Sequence, residues 1–149
     1  MKIDQIPRHI LQVLSGEGRI SNIDLAARVG LSPSACLRRV QELERSGVIK
    51  GYRAVLDQGA LDRAVTAYVT VGWSDHSKAS QESFERAVQH APEVREYHNI
   101  TGNVEYFLRV EVADLEAFKT FHTDVLGVLP QVNALTSYFA ISSPKDERA

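Results

Sequence analysis

The apolar residues in the first half of the chain recur every three or four positions, which is the period of an amphipathic α-helix. One such stripe precedes Gly16 and Gly18 and consists of Ile6, Ile10, Val13 and Leu14. A second helix is predicted from Ser21-Asn22 to Gly30, and its apolar side comprises Ile23, Leu25, Ala26 and Val29. The front of the chain is therefore predicted to be helical.

A third helix is predicted from Ser32-Pro33 to about Ser46-Gly47. The Ser32 hydroxyl can cap the free N–H groups of a helix, and proline suits the first helical position. Gly47 is the residue type that most readily takes the left-handed conformation at a helix end. Residues 48–56 alternate between apolar and polar types, which predicts a strand, a turn and a second strand, the wing of a winged helix-turn-helix.

The period changes after Gly59. The predicted elements are a strand over 65–71, a helix with the stripe Phe84, Ala87, Val88 and Ala91, strands over 94–101 and 104–112, a helix with the stripe Leu115, Phe118, Phe121, Val125 and Leu126, and a strand over 132–141. The order βαββαβ predicts a ferredoxin-like split βαβ sheet with both helices on one face. The whole chain is thus predicted to have an α+β fold.

This pattern divides the chain into four segments: a winged helix-turn-helix domain over 1–53, a linker over 54–63, a sheet domain over 64–142 and a polar tail over 143–149. Residues 1–53 contain nine Lys or Arg and five Asp or Glu, which gives a net charge of +4. The rest of the chain contains eight basic and fourteen acidic residues, a net charge of −6, so the total is −2. A basic front joined to an acidic back favours contact between the front and a polyanion.

The spacing between the second and third predicted helices is typical of a helix-turn-helix. Two helices that cross closely need a small residue at the contact, which Ala26 supplies. The sharp turn between them needs a residue that tolerates positive φ, which Gly30 supplies, and Leu31 follows as an apolar anchor. The segment therefore predicts a DNA-binding motif.

The third helix has two distinct faces. Its inward face is predicted to consist of Cys36, Leu37, Val40 and Leu43, and its outward face of Ser34, Arg38, Gln41 and Arg45. An Arg and a Gln on one exposed face suit base edges in a major groove, whereas Arg39, Lys50 and Arg53 are better placed for phosphates. The candidate DNA-contacting residues are Ser32, Ser34, Ala35, Arg38, Arg39, Gln41, Arg45, Lys50 and Arg53.

Composition excludes several other classes. No apolar run approaches the ~20 residues of a membrane helix, and the first residues do not have the layout of a signal peptide. Cys36 is the only cysteine, which excludes an intrachain disulfide or a cysteine zinc site and indicates a reducing, cytoplasmic location. The histidines have no metal-ligand spacing, and no nucleophile elbow or glycine-rich phosphate loop is present. We therefore expect no catalytic residue, metal or cofactor.

Three stretches carry a resemblance to a known family: GRISNIDLAARVGLSPSACLRRVQELERSGVIKGYRAVLD, TGNVEYFLRVEVADLEAF and VNALTSYFAI. Together they resemble the leucine-responsive regulatory protein (Lrp)/AsnC family over nearly the whole chain. The resemblance implies a winged helix-turn-helix, a linker strand and an ACT-like sheet domain, also called RAM. It also implies dimers formed through the sheets, further assembly into tetramers or octamers, and an amino-acid effector bound between dimers.

The segment Thr101-Gly102-Asn103-Val104-Glu105-Tyr106 stands where the family resembles Gly-Asp-x-Asp-Tyr. Glu105 could face the ammonium group of an amino acid, and backbone N–H groups near Gly102 could face its carboxylate. The alternative is that Gly102-Asn103 is simply a hairpin turn. With the positions that the resemblance adds, the candidate effector residues are Asn99, Thr101, Gly102, Asn103, Val104, Glu105, Tyr106, Leu115, Tyr138 and Ala140.

These features predict a transcription regulator with an amino-acid effector, which binds double-stranded promoter DNA sequence-specifically as a homo-oligomer. One recognition helix reads only a few base pairs, so paired helices are needed for specificity. Two alternatives remain. One is an enzyme subunit similar to the sirohaem decarboxylases, for which His98 and Arg109 on adjacent predicted strands are the candidate residues. The other is an assembly module that does not bind DNA.

Overall fold

A computed structural model describes residues 4–147, and the chain divides into two units between Val55 and Leu56. The helices of the first unit are α1 (Gln5–Gly16), α2 (Asn22–Val29) and α3 (Pro33–Arg45). The second unit comprises a short 3-10 helix (Gly59–Leu61), β1 (Val65–Trp73), α4 (Lys78–Gln89), β2 (Val94–Asn99), β3 (Tyr106–Val112), α5 (Leu115–Phe121), a π-helical turn (His122–Leu126) and β4 (Val132–Phe139). The predicted α+β fold, with a helix-turn-helix followed by βαββαβ, is confirmed.

The helix boundaries of the first unit follow the predicted capping residues. The Ser21 hydroxyl accepts a hydrogen bond from the Asp24 N–H at 3.1 Å, and the Ser32 hydroxyl accepts one from the Ala35 N–H at 3.2 Å. Gly30 ends α2 with φ of 72°, a conformation that glycine adopts without steric cost. These short-range hydrogen bonds and the Gly30 turn fix where α2 and α3 meet.

The three helices enclose a small apolar core. Its fully or almost fully buried members are Ile10, Leu25, Ala26, Cys36 and Leu43. Burial raises the pKa of the Cys36 thiol, so this group stays protonated at neutral pH and behaves as a small apolar side chain. This core holds α3 through one face and leaves the other face outside.

Three residues predicted to lie on apolar faces of the first unit are exposed instead: Ile6, Ile23 and Leu37. Ile23 is 70% exposed and Leu37 is 46% exposed. Ile23 precedes Leu25 by two positions, about 200° around a helix, so both cannot face the same core. Leu37 lies about 110° from the centre of the face that Cys36 and Leu43 bury. The buried stripe is therefore narrower than the sequence pattern predicted.

The predicted strand pair over residues 48–56 is wrong, because this segment has only turns and irregular backbone. Val55 and Leu56 are 69% and 51% exposed, so little apolar surface is buried to support a hairpin. An isolated two-stranded hairpin is at best marginally stable in water. The segment is attached to α3 instead by the Tyr52 hydroxyl, which donates to Glu44 Oε1 at 2.8 Å.

The four strands form one antiparallel sheet in the order β2-β3-β1-β4. Helices α4 and α5 contribute to a core that includes one face of this sheet. The buried residues of that core are Ala67, Val69, Val71, Trp73, Phe84, Val88, Ala91, Tyr106, Leu108, Val110, Val112, Phe118, Phe121 and Leu126. Leu115, predicted to belong to the α5 stripe, is 65% exposed because it lies in the first turn, about 90° from the buried stripe.

The alternate positions of the strands point to the opposite face of the sheet. Tyr68 in β1 pairs with Arg109 in β3 and with Tyr138 in β4. The ring of Tyr68 stacks on that of Phe107 with centroids 5.6 Å apart, and Tyr138 is 57% exposed. Across residues 4–147, no helix has the length and apolar character needed to span a membrane.

Candidate DNA-binding helix and effector pocket

Helix α3 presents a polar face on the side opposite its buried residues. Cys36 and Leu43 are 0% and 7% exposed, and they face the core of the first unit. The predicted base-contacting residues, all exposed, are Ser34, Arg38, Gln41 and Arg45. These side chains form a row of two guanidinium groups, an amide and a hydroxyl, which are groups that can form hydrogen bonds in the major groove of DNA.

The start of α3 is held by two side chains. Ser32 caps the helix, and its hydroxyl lies 3.4 Å from that of Ser34. The Asn22 side-chain amide donates to the Pro33 carbonyl at 2.8 Å, which links the start of α2 to the start of α3. The role of Asn22 was not predictable from the sequence, because a polar residue at a helix start has many possible partners. Ala35 is half-buried beside these residues.

The remaining candidate phosphate contacts are exposed cations near α3 in the sequence. Arg39 follows Arg38 on the helix, while Lys50 and Arg53 lie in the irregular segment behind it. Arg28 of α2, which is not among the predicted DNA contacts, is paired with Glu17 at 2.7 Å. The exposed cations on α3 and after it in the chain therefore remain the candidate phosphate contacts.

A pocket of about 290 Å³ opens in the second unit, between the end of β1, the start of α4 and the connection from β2 to β3. Its lining residues are Trp73, His76, Ser77, Gln81, Asn99, Ile100, Thr101, Gly102, Val104 and Glu105. Five of them were not predicted from the sequence: Trp73, His76, Ser77, Gln81 and Ile100. Except for Ile100, these residues come from a segment distant in the sequence from the predicted loop, and only the sheet register and α4 bring the two segments together.

Half of the predicted effector residues line this pocket: Asn99, Thr101, Gly102, Val104 and Glu105. Tyr106 is 1% exposed and does not line it, and neither do Asn103, Leu115, Tyr138 and Ala140. Leu115 begins α5, and Tyr138 lies on the sheet face opposite the core. These five residues lie outside this pocket, and their part in an effector site stays a prediction.

The connection between β2 and β3 is longer than a tight hairpin turn. Residues 100–105 separate Asn99 from Tyr106, which are paired across the two strands. The Ile100 N–H donates to the Glu105 carbonyl at 3.0 Å, and Gly102 has φ of +118°. A six-residue connection directs backbone groups towards the pocket, which a two-residue turn could not do.

Glu105 is fixed in position by the end of β1. Its Oε2 accepts a hydrogen bond from the Trp73 N–H at 2.9 Å, and its own N–H donates to the Val71 carbonyl at 2.9 Å. Its Oε1 lies 3.5 Å from His76 Nδ1. One carboxylate oxygen is thus bound to the backbone, while the other lies beside the imidazole at the pocket wall.

A polar network lies behind the pocket. The buried Tyr106 hydroxyl donates to Glu85 Oε1, and the Gln81 side-chain amide donates to the same oxygen at 3.2 Å. Burial, and then the hydrogen bond to Glu85, raises the pKa of Tyr106 to about 12, against opposing hydrogen bonds from Asn99 and Gln81. The side-chain amides of Gln81 and Asn99 line the pocket and also lie next to the Tyr106 hydroxyl, which stays protonated at neutral pH.

The two residues that suggested a tetrapyrrole enzyme, Arg109 and His98, lie beside carboxylates of the sheet. Arg109 donates to Glu111, and its Nε lies 3.5 Å from Glu96 Oε1. His98 Nε2 lies 3.8 Å from the same Glu96 oxygen. Within the described range, no three His, Cys, Asp or Glu side chains are grouped to hold a metal. Arg109 thus has a structural role in the sheet, which does not favour the enzyme alternative.

Both units match known protein families. Residues 66–149 match the family model described as the Lrp/AsnC ligand binding domain, and residues 3–50 match the model described as winged helix-turn-helix DNA-binding. The leucine-responsive regulatory protein of Escherichia coli (strain K12) is 38% identical over 143 residues, which cover 96% of this chain and 87% of that protein.

Solved structures give the same result. A transcriptional regulator from Neisseria meningitidis, solved as a complex with L-Met, superimposes with a TM-score of 0.92 at 34% identity, over 97% of this chain and 94% of that one. An AsnC family transcriptional regulator from Agrobacterium tumefaciens superimposes with a TM-score of 0.90 at 33% identity, over the same shares. The likeness covers both the helical unit and the sheet unit.

Proposed function

This chain belongs to the Lrp/AsnC family of transcription regulators, and from that premise we propose that α3 reads a promoter sequence while an amino acid binds in the pocket beside β1. The helix-turn-helix and the ligand-binding domain are the two parts that a regulator needs. Binding of the effector in the pocket changes DNA occupancy or assembly, because the ligand stabilises one conformation over another.

The observation that carries the proposed DNA binding is the exposure of Arg38, Gln41 and Arg45 on one face of α3. Buried or paired side chains there would have made base contacts impossible. The test is a gel shift on the protein's own promoter fragments across a range of salt concentrations. Specific binding that weakens steeply with salt is expected, because phosphate contacts release counterions. Absence of any shift would favour the assembly module instead.

An amino-acid effector is supported by the charges of the pocket. The Glu105 carboxylate faces the cavity beside His76 and suits an ammonium group, and the backbone N–H groups around Gly102 suit a carboxylate. The structure from Neisseria meningitidis, a complex with L-Met, shows that a relative binds an amino acid. We therefore assign Glu105 and the Gly102 backbone to the two ends that all amino acids share.

Glu105→Gln should weaken the binding of the effector by about ten- to a hundredfold, because a hydrogen bond to a charged group contributes about 1.5–3 kcal/mol. The amide oxygen of Gln can still accept from the Trp73 N–H, so the fold of the wall is retained. Titration calorimetry with the amino acid found in a thermal-shift screen measures the change. Glu82→Gln, an exposed α4 residue outside the pocket, is the control. Equal affinities of the Glu105 variant and the parent would refute the ammonium role.

Self-association is supported by the sheet face opposite α4 and α5. It carries the stacked rings of Tyr68 and Phe107 and the exposed ring of Tyr138. Aromatic side chains grouped on an exposed face are typical of a protein interface. We propose that two copies pair through this face, which would place two α3 helices on one DNA site.

Tyr138→Glu should convert the dimer into a monomer at micromolar concentration, because it places a carboxylate where apolar area is to be buried. Light scattering behind a sizing column measures the mass. Val128→Glu adds the same charge away from that face, at a loop residue that is 66% exposed. This control variant should keep the mass of a dimer. A parent protein that is already monomeric would contradict this interface.

A further inference from the structure

We propose that Leu37 of α3 reads a thymine in the promoter site, by packing against the C5-methyl group that this base presents in the major groove. The inference rests on the proposed binding of promoter DNA by α3. It adds a base-contacting residue that the sequence pattern placed on the inward face of the helix. The exposed row on α3 supplies hydrogen-bonding groups, whereas Leu37 supplies an apolar contact.

Leu37 is the one large apolar side chain of α3 that is exposed. It is 46% exposed, whereas Cys36 and Leu43 are buried and Val40 packs against the core of the first unit. All 13 residues of α3 lie in the described range, and its other exposed positions are proline, serine, arginine, glutamine or glutamate. Leucine, arginine and glutamine have similar helix propensities, so helix formation alone does not require leucine at this exposed position.

The position of Leu37 on α3 is next to two of the predicted base-contacting residues. Gln41 follows it by four positions and Ser34 precedes it by three, which are offsets of about 40° and 60° around a helix. Both neighbours are exposed. From Ser34 to Gln41 the helix rises by about 10 Å, which is close to the rise of three base pairs. When α3 lies in a major groove, Leu37 therefore faces the same few base pairs as these two residues.

The groups around Leu37 favour DNA over a protein partner. The guanidinium groups of Arg38, Arg39 and Arg45 have no hydrogen bond or ion pair to another described residue, so they are available to a polyanion. A single leucine among these cations is too small to form the apolar patch of about 300–600 Å² that typically marks a protein interface. Among the four standard bases, thymine alone presents a methyl group in the major groove. That methyl group is the apolar partner that fits one exposed leucine.

The test replaces thymines of one half-site by deoxyuridine, one at a time, after footprinting has located the site in the protein's own promoter fragment. Deoxyuridine lacks only the C5-methyl group, so base pairing and phosphates are retained. Fluorescence anisotropy on the full chain is expected to show an affinity about fourfold lower at one of these thymines, the effect of burying one methyl group. Specific binding that no replacement weakens would overturn the methyl contact and leave the proposed DNA binding standing. Absence of specific binding would overturn both.

Leu37→Ala connects the methyl group to its residue. The variant is expected to bind the thymine and deoxyuridine sites with nearly equal affinity, because the contact that distinguishes them is gone. Leu37→Met keeps an apolar side chain of similar volume and should retain most of the fourfold difference. Ile6→Ala, at a residue of α1 that is 40% exposed, is the matched control and should respond to deoxyuridine as the parent does.

Two results with these variants would overturn the role of Leu37. One is a fourfold response to deoxyuridine that persists in Leu37→Ala, since another residue would then contact the methyl group. The other is a change of oligomeric mass in Leu37→Ala by light scattering, which would place this side chain in a protein interface. Binding of each variant to a scrambled site, which depends on phosphate contacts, measures whether the helical unit is folded.

Discussion

Arg38→Ala should lower the affinity for the specific promoter site by about five- to a hundredfold and leave binding to unrelated DNA nearly unchanged. A guanidinium that forms two hydrogen bonds with one base edge contributes about 1–3 kcal/mol of discrimination. Arg38 is exposed near the middle of α3, between Ser34 and Gln41 on the same face. Fluorescence anisotropy on the promoter site and on a scrambled site of equal length measures both affinities.

Lys50→Ala is the matched comparison, because Lys50 follows α3 in the chain and is assigned to a DNA phosphate. Its loss should weaken both DNA sequences about equally and reduce the salt slope by about one. Arg28→Ala should change little, since Arg28 is paired with Glu17. If Arg38→Ala and Lys50→Ala weakened both sequences to the same extent, α3 would not be reading bases.

The elements that could be predicted from the sequence are those that local interactions decide. Ser21 and Ser32 cap helices through bonds to residues three positions away, and Gly30 takes a conformation that other residues avoid. The alternation in β1 and β3 likewise follows from burial on one face. Such features depend on a few neighbouring residues, so a pattern in the sequence is enough to locate them.

The features that were wrong or missed depend on contacts between distant segments. The strand pair after α3 was predicted from alternation alone, but Val55 and Leu56 are 69% and 51% exposed, so too little apolar area is buried there to stabilise it. The pocket brings Gln81 of α4 and Trp73 of β1 beside Glu105, although no motif links these positions. The resemblance located the loop that carries Glu105, whereas the opposite wall came only from the structure.

A cluster of aromatic rings formed by Trp73, Phe84 and Tyr106 lies beneath the α4 side of the pocket and stabilises the second unit. Phe84 of α4 is fully buried, and its ring centroid lies 5.2 Å from that of Trp73 and 4.8 Å from that of Tyr106. Trp73 contributes its backbone N–H to the Glu105 carboxylate, and Tyr106 contributes its hydroxyl to the network behind Gln81. The packing of α4 on the sheet thus fixes both walls of the pocket.

Phe84→Ala should therefore lower the free energy of unfolding of the second unit by about 3–5 kcal/mol, the usual cost of removing a buried aromatic ring. That is a large part of a typical total of about 5–15 kcal/mol. Trp73 is the only tryptophan and lies against Phe84, so its fluorescence during urea unfolding reports on this unit. Val128→Ala, at a residue 66% exposed, should stay within about 0.5 kcal/mol of the parent. A Phe84 variant with the urea midpoint of the parent would show that the stability of the second unit lies elsewhere than in the ring cluster.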